Sequence, residues 1–412
     1  MYYNWFKKQK NHGVSVIILL GCLTAIGPLS MDIYVPALPQ LLIDLQTHMA
    51  VIQGTVTACL LGLAIGQLCI GPLSDLYGRR FPLIWSLVIY VLSSFLCTII
   101  SSIWFLILLR FFQGLSGAAG IVISRAIIRD MYTDVEMTKY FSFLMLINGI
   151  TPILAPVIGG QILTLLSWRG IFLILGVISM CMLSAAYCIL PETLPKQKRY
   201  VQQKREIILI YSSLLKNRKF IGYTFSQSFT LAAMFVYIVY SPFILQNTYG
   251  ISPQMFSLIF SINSIGIILT SQLVRVLAGK VKHQTLFIWG LSFANIGALL
   301  LLWGIIWLNE VPIILVAFFL VVSSIGIITT TGFSLVMEDV QHAAGTASAI
   351  LGFIQYMVGV LISFLIGMVN YSILLSMGYV IIFCELGAVL CYVFARNGTK
   401  VVYNNKTAMK IE

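Results

Sequence analysis

The sequence predicts an all-α membrane protein of twelve transmembrane helices, arranged as two six-helix bundles. Three observations predict it. Of 412 residues, 59% are hydrophobic and only 9% are charged, with a net charge of +12, and the mean hydropathy is +0.97. A soluble domain carries about 25% charged residues and cannot cover its surface with so few polar groups. The apolar residues fall in runs close to the roughly 20 residues that a helix needs to cross a ~30 Å hydrocarbon core. One long hydrophilic stretch divides these runs six and six. A transmembrane barrel would show short segments of alternating polarity, and runs such as "FLILGVISMCMLSAAYCIL" show none.

The first span, 14–34, follows Lys7, Lys8 and Lys10. Its apolar run is longer than the core of a secretory leader and no small-residue cleavage site follows, so it is expected to be retained with the amino terminus inside. The next five spans are read at 50–72, 82–101, 103–127, 138–163 and 168–190. They complete an amino-terminal half, 1–190. The stretch 191–217 is the expected inter-half linker: Pro191 ends the sixth span, Pro195 discourages its continuation, and eight basic residues lie between Lys196 and Lys219. Its part from Glu206 to Leu215 is amphipathic enough to lie along the inner membrane face. The carboxy-terminal half, 218–395, holds spans at 218–245, 253–277, 284–307, 311–336, 343–366 and 372–395, and a tail covers 396–412. Repeat evidence is thin: "GQLCIGPLSDLYGRR" after the second span is echoed by "SQLVRVLAGKVKHQ" after the eighth, without its acid and most of its glycines.

Charge sets the orientation. With the amino terminus inside, 23 of the 25 Lys and Arg residues fall on inner segments or inner helix ends, Arg169 falls outside and Arg110 within a span. Both termini are therefore expected on the cytoplasmic side. The basic excess reports insertion and contact with anionic lipid rather than nucleic acid.

Other function classes lack their chemistry. All eight cysteines lie in apolar segments without a CxxC pair, which leaves no disulfide framework and no metal site. His12, His48, His283 and His342 are scattered over a tail and loop or helix-end positions, with no HExxH spacing. Enzymatic work needs convergent acid, base or metal groups, and a receptor needs an output domain that these short tails do not supply.

Charge inside a span is costly and marks a pathway or a coupled site. Asp32 lies in "GPLSMDIYVPALPQ", where Pro28, Pro36 and Pro39 break the helical ladder as a cavity lining allows. It can exchange a proton as a cavity opens to either side, or face outer water as an interfacial acid. Arg110, in "FLILLRFFQGLSGAAG", is about seven residues into the fourth span. It can hold Asp32 charged, sense its protonation, or snorkel to the nearby boundary. Glu385, in "IIFCELGAVLC", can carry a second proton, contact a cationic ligand, or be a neutral acid bonded to a neighbouring helix.

The stretch "GPLSDLYGRR" resembles the signature loop between helices two and three of the major facilitator superfamily, with Gly71, Asp75, Gly78, Arg79 and Arg80 on its positions. Gly71 then permits close helix approach, Gly78 a tight turn, and Asp75 a bridge to the facing half and to the arginines, forming an inner gate that makes and breaks with conformation. Further along, the chain is similar to the Bcr/CflA branch of drug:proton antiporters, the bicyclomycin and phenicol exporter group. "MDIYVPALPQ" places Asp32 on that branch's acidic position; "RFFQGLSGAAG" places Arg110, Gln113 and Gly114 on the helix-four motif, with Arg110 as its proton-coupling arginine. "ITPILAPVIGG" places Pro156, Gly159 and Gly160 on the helix-five antiporter motif, with Ala155 where the family has glycine. "WRGIF", "SPFILQNTYGISPQMFSLIFSIN" and "AGTASAILGFIQY" extend the likeness into both halves.

Independently, "FSQSFTLAAMFVYIVY" in the seventh span suggests soft, adaptable pocket walls. Phe229, Phe235, Tyr237 and Tyr240, with Tyr34 of the first span, are the candidate lining residues. The expected function is proton-coupled efflux of small amphipathic or apolar drugs by alternating access, with the proton gradient as energy source, no cofactor, a monomeric state and a location in the bacterial cytoplasmic membrane. The alternative is an exporter or facilitator of a small metabolite such as an amino acid or sugar.

Overall fold

The computed structural model describes residues 13–132, 134–195, 197, 199, 212–308, 310–338, 344–367 and 372–396. Twelve helices are long and apolar enough to cross a membrane, and no strand occurs among the described residues. They are α1 (Gly13–Asp32), α2 (Met49–Tyr77), α3 (Arg80–Ile99), α4 (Ile103–Met131), α5 (Asp134–Leu165), α6 (Trp168–Ile189), α7 (Arg218–Pro242), α8 (Pro253–Leu277), α9 (His283–Trp303), α10 (Val311–Met337), α11 (Ala344–Gly367) and α12 (Ile373–Arg396). The amphipathic stretch expected over 206–215 lies outside the described residues up to 211, as do Lys7, Lys8, Lys10, His12, His342 and the tail beyond Arg396.

Boundaries differ from the sequence reading where proline or turn chemistry is overridden. Helix α2 runs through Pro72 to Tyr77, and α5 holds both Pro152 and Pro156, as membrane helices tolerate where neighbours satisfy the freed carbonyls. The chain after α1 does not stop at residue 34. It continues through a 3₁₀ turn, Val35–Ala37, into a short helix, Leu38–Asp44. Its Asp44 carboxylate accepts a hydrogen bond from Trp168 Nε1 at 2.9 Å. Two of the helices start on side-chain caps, Asn217 accepting from Lys219 and Phe220 for α7 and Ser252 accepting from Met255 for α8.

Packing follows small residues, as expected where lipid offers no hydrophobic drive between helices. On α4, a Cβ at Gly114 would strike the Cys59 carbonyl of α2, one at Gly120 the Leu23 carbonyl of α1, and one at Gly117 would lie 3.0 Å from Gly27 Cα. Helix α2 answers with Gly62 and Gly66 against the α4 backbone. In the second half, Gly326 of α10 presses on the Ile267 carbonyl of α8, and Gly290 and Gly297 of α9 on Ile328 and Val321 of α10. Large exposed side chains such as Leu92, Leu165, Ile262 and Leu390 lie on the outside of the bundle, as lipid-facing surface.

The halves meet along α5 with α8 and α2 with α11. One end of the molecule carries the α2–α3 turn and its arginines and is called the basic end here; the opposite end carries the α1 terminus and the start of α8.

Candidate functional site

At the basic end, Gly78 adopts φ +91°, a left-handed conformation that glycine accepts freely. The turn delivers Arg79 into a pocket of acceptors. Its side chain is 3% exposed and pairs with Asp75 of α2 and, through Nε at 2.8 Å, with Asp130 at the end of α4. Glu192, just past α6, accepts the backbone N–H groups of Arg79 at 2.9 Å and Arg80 at 3.3 Å. Arg80 donates to the Tyr187 carbonyl at 2.6 Å and lies over the Tyr187 ring. Burial pushes the Arg79 guanidinium down, but the hydrogen bond and charge of Asp130, with Asp75 behind them, outweigh it and hold it above the usual arginine range.

This network ties α2, α3, α4 and the chain beyond α6 within the first half. The expected bridge from Asp75 to the facing half is absent among the described residues, and the Asp75 side chain is 52% exposed. Among the described residues, Asp75 pairs with Arg79 alone.

At the opposite end the halves are closed onto each other. Helix α5 presents two consecutive glycines: a Cβ at Gly159 would strike the Ile33 carbonyl next to Asp32, and one at Gly160 would strike Ser257 Oγ of α8 and come within 3.2 Å of the Pro253 carbonyl. Gln254 donates to the Gly160 carbonyl at 3.3 Å, Ser261 to Ile153 at 2.6 Å and Ser264 to Pro152 at 3.1 Å. Gln246 reaches back to the Pro36 carbonyl at 3.2 Å. Of the residues singled out in α5, Gly160 therefore lies on the surface where this end shuts, and Gly159 packs on α1 within the first half.

Between the ends lies the polar interior of the first half. Arg110 is fully buried. Its Nη1 donates to the Ser30 carbonyl at 3.1 Å and to Gln113 Oε1 at 2.9 Å, and its guanidinium sits 4.7 Å from the Tyr34 ring centroid and 5.7 Å from that of Phe172. Gln113 in turn donates to Ser94 of α3 at 2.8 Å. Arg110 Nε and Nη2 have no hydrogen-bond partner. Snorkelling is thus excluded, and so is a direct ion pair with Asp32. Arg110 instead grips the α1 backbone two residues before that acid. Tyr34, expected on the pocket wall, lies beneath it: the ring is fully buried against Arg110 and its hydroxyl donates to Thr55 Oγ1 at 3.0 Å.

Asp32 is 6% exposed and has neither an ion pair nor a hydrogen bond among the described residues. It lies within electrostatic range of Tyr356 of α11, in the opposite half. Arg125 of α4 lies within the same range of Tyr356. The Phe235 ring of α7 stacks on Tyr356 at 5.7 Å and 27°. Tyr240 lies near Gln53 of α2, also between the halves. The other two lining candidates point elsewhere. Tyr237 packs inside the second half against Phe260 and Phe318 and accepts from Asn263 at 2.8 Å. Phe229 packs against Gly387 and the exposed Phe383 of α12.

Glu385 is fully buried between α12 and α7, accepting from Thr230 at 3.3 Å through Oε2, with Oε1 unpartnered. Of the roles left open for it, the one the geometry matches is an acid bonded to a neighbouring helix. The sequence reading missed Arg125 and Tyr356. Arg125 counts there as one more basic residue toward an inner end, although it continues the stripe Arg110, Gly114, Gly117, Ile121 at helical spacing. No group of three or more metal-ligating side chains occurs among the described residues.

Comparison with known proteins agrees with this architecture. The family model described as Major Facilitator Superfamily matches residues 20–364. An uncharacterized MFS-type transporter of Bacillus subtilis, YdgK, is 37% identical over 367 residues, spanning 89% of this chain and 91% of its own. The bicyclomycin resistance protein homolog of Haemophilus influenzae is 28% identical over 92% of this chain and 95% of its own, and multidrug resistance protein D of Escherichia coli 27% identical over 94% and 96%. Among solved structures, a D-xylose-proton symporter superposes with a TM-score of 0.77 at 18% identity, covering 94% of this chain and 98% of that one.

Proposed function

The chain belongs to the major facilitator superfamily, and from that premise we propose that this multi-pass membrane transporter exports small amphipathic drugs from a bacterial cytoplasm in exchange for protons. Relatives named for bicyclomycin and multidrug resistance support the substrate class. The observation that carries the coupling is the Asp32 carboxylate, buried without a partner on the face that the two halves share.

With the basic end cytoplasmic, as the charge bias implies, the conformation is inward-facing. The outer end is shut where Gly160 meets α8, and Asp32 lies one residue before Ile33, whose carbonyl meets Gly159 of the same helix α5. A charged carboxylate in such a place costs about 2.5–3.5 kcal/mol on insertion scales. A proton taken up from the outside while the outer end is open removes this cost and permits closure; opening to the cytoplasm then offers water to receive it. Drug leaves as Asp32 is neutralised and binds again once it is ionised. Arg110 reports the exchange to the fold, because it holds α1 at Ser30 and is itself braced by α3 through Gln113 and by α6 through Phe172. The Asp75–Arg79–Asp130 cluster keeps the first half rigid while it rocks.

In everted vesicles energised by a pH gradient, Asp32→Asn is expected to abolish drug accumulation, and a protonophore to do the same to the parent protein. Unchanged proton-driven transport by Asp32→Asn sinks the coupling assignment.

A further inference from the structure

Asp44 and Trp168 have no place in the cycle just described, yet they join two segments that it uses. Beyond Asp32 the chain leaves α1 as a strap, formed by the 3₁₀ turn Val35–Ala37 and the short helix Leu38–Asp44, with Val35, Pro36, Ala37, Leu38 and Leu41 all buried. The strap is the outer neighbour of Asp32 along the chain. Its turn lies against α5 of its own half and against α7 and α8 of the other, and Gln246, just past α7, donates to the Pro36 carbonyl at 3.2 Å.

The far end of the strap is held against local preference. Gln46 takes φ +45° in a closing turn where it donates to the Ile43 carbonyl at 3.3 Å and Thr47 donates to the Leu42 carbonyl at 3.4 Å; glycine is the residue that fits such a position. Asp44 stands at the negative end of the short helix, where a carboxylate is disfavoured. Trp168 accounts for the acid. It is fully buried at the first position of α6, its indole N–H needs an acceptor, and it donates to Asp44 Oδ2 at 2.9 Å. The anchor is itself fixed, because the Arg169 guanidinium lies 4.3 Å from the Trp168 ring and donates to the Ile100 carbonyl past α3 at 3.3 Å.

From Trp168 an aromatic row runs inward. Phe172, one turn along α6, meets Trp168 edge-on at 6.0 Å and 90° and lies 5.3 Å from the Tyr34 ring. Tyr34 and Phe172 flank the Arg110 guanidinium at 4.7 and 5.7 Å, and Arg110 holds the Ser30 carbonyl two residues before Asp32. The strap is thus pinned at both ends to one half, at its start through Tyr34 and Arg110 and at its far end through Asp44 and Trp168.

On the exporter reading, we infer that this strap is an outer lid carried by the first half, and that Asp44 and Trp168 are positioning residues whose clasp keeps outside water off Asp32 while the cleft is open to the cytoplasm. A clasped lid admits the outside proton only when the two halves part. With the clasp broken, the strap lifts on its own, Asp32 is wetted from both sides, and protons cross without drug.

Two measurements on the full chain test this. In intact cells, Val35→Cys, on a fully buried residue of the strap, is labelled with a membrane-impermeant maleimide, after subtraction of the signal from the native cysteines. In proteoliposomes with a trapped pH dye, and with valinomycin and potassium clamping the membrane potential, the drug-free proton leak down a pH gradient is recorded. Asp44→Ala and Trp168→Phe are each expected to raise labelling and leak at least fivefold, and the two together no further than either alone. Asp44→Asn keeps an acceptor oxygen and is expected to stay within twofold of the parent, and Asp32→Asn in the Asp44→Ala background to abolish the extra leak. Asp44 is exposed, so its replacement leaves the core intact, and monodisperse elution confirms that each variant is folded. Unchanged labelling in Asp44→Ala and Trp168→Phe, additive effects of the two, an Asp44→Asn variant as open as Asp44→Ala, or a leak that survives Asp32→Asn overturns the inference. Faster labelling of the clasp variants of a parent that shows no pH-driven drug transport refutes the coupling and leaves the lid standing; pH-driven efflux with labelling unaltered does the reverse.

Discussion

Substituting Gly160 by alanine tests whether the α5–α8 seam holds the outer end shut. The added methyl meets Ser257 Oγ directly, with Ser257 Cβ and the Pro253 carbonyl each 3.2 Å away. Two of these atoms are fixed by a hydrogen bond, since Ser257 Oγ donates to the Pro253 carbonyl at 2.7 Å, so the neighbours have little room to yield. Overpacking of this kind costs about 1–3 kcal/mol. The cost falls only on conformations in which the seam is closed, and it therefore shifts the inward–outward equilibrium by about 5–150-fold toward outward-open. A cysteine at Gln246, whose amide bridges to Pro36 across the closed end, reports the change. In intact cells, a membrane-impermeant maleimide is expected to label Gln246→Cys at least fivefold faster in the Gly160→Ala background, after subtraction of the signal from the native cysteines. Adding Ser257→Ala removes the clashing oxygen and is expected to restore most of the protection. Labelling that is unchanged by Gly160→Ala, at equal protein level, refutes the argument that this seam governs the outer end.

The remaining expectations concern positions whose partners are equally explicit. Gly78→Ala forces a side chain into the left-handed region and against Glu192 and Arg199; the backbone cost alone is about 1–2 kcal/mol, so the melting temperature of the purified protein falls, and Glu192→Ala recovers only the steric part. A melting temperature equal to the parent's contradicts the turn geometry. Arg110→Lys keeps the charge but loses the fork and the two ring contacts, each worth about 0.5–2 kcal/mol, and efflux in everted vesicles is expected to drop about tenfold; a lysine variant that pumps at the parental rate shows that the stacking on Tyr34 and Phe172 contributes nothing. For Asp32→Asn, the rate of any residual efflux should no longer vary with external pH, and a retained pH profile assigns the proton to another group.

Much of this fold was readable because a bilayer sets one length and one polarity for every span. Twelve apolar runs and one polar divider leave few alternatives, and α4's glycines announce close packing. Partnership was not readable. Arg79 finds Asp75 four residues away, which spacing suggests, but also Asp130 and Glu192, at separations of 51 and 113 residues, which only the folded half brings together. Charge counting hid Arg125, because a cation two turns from a helix end adds to the inner basic excess wherever its side chain lies. Tyr34 illustrates the converse error. It stands among the expected lining residues, yet at the entry to the 3₁₀ turn after α1 its ring lies against Arg110. Helical periodicity on α7 likewise could not distinguish Phe235, which stacks on Tyr356 of α11, from Tyr237, which packs against α8 and α10, or Phe229, which packs against α12.

Consecutive residues on a helix project about 100° apart, so Gly159 and Gly160 give α5 two bearing surfaces at one height, one carrying the tip of α1 and the other a neighbour from the opposite lobe. The first contact sets bare backbone on bare backbone, the second sets it on the Ser257 hydroxyl, and neither stretches. A displacement of the α1 tip by a fraction of an ångström therefore arrives at α8 undiminished, as motion passes through a cam rather than a spring, and the stroke of the machine is set by steric contact at this single rung.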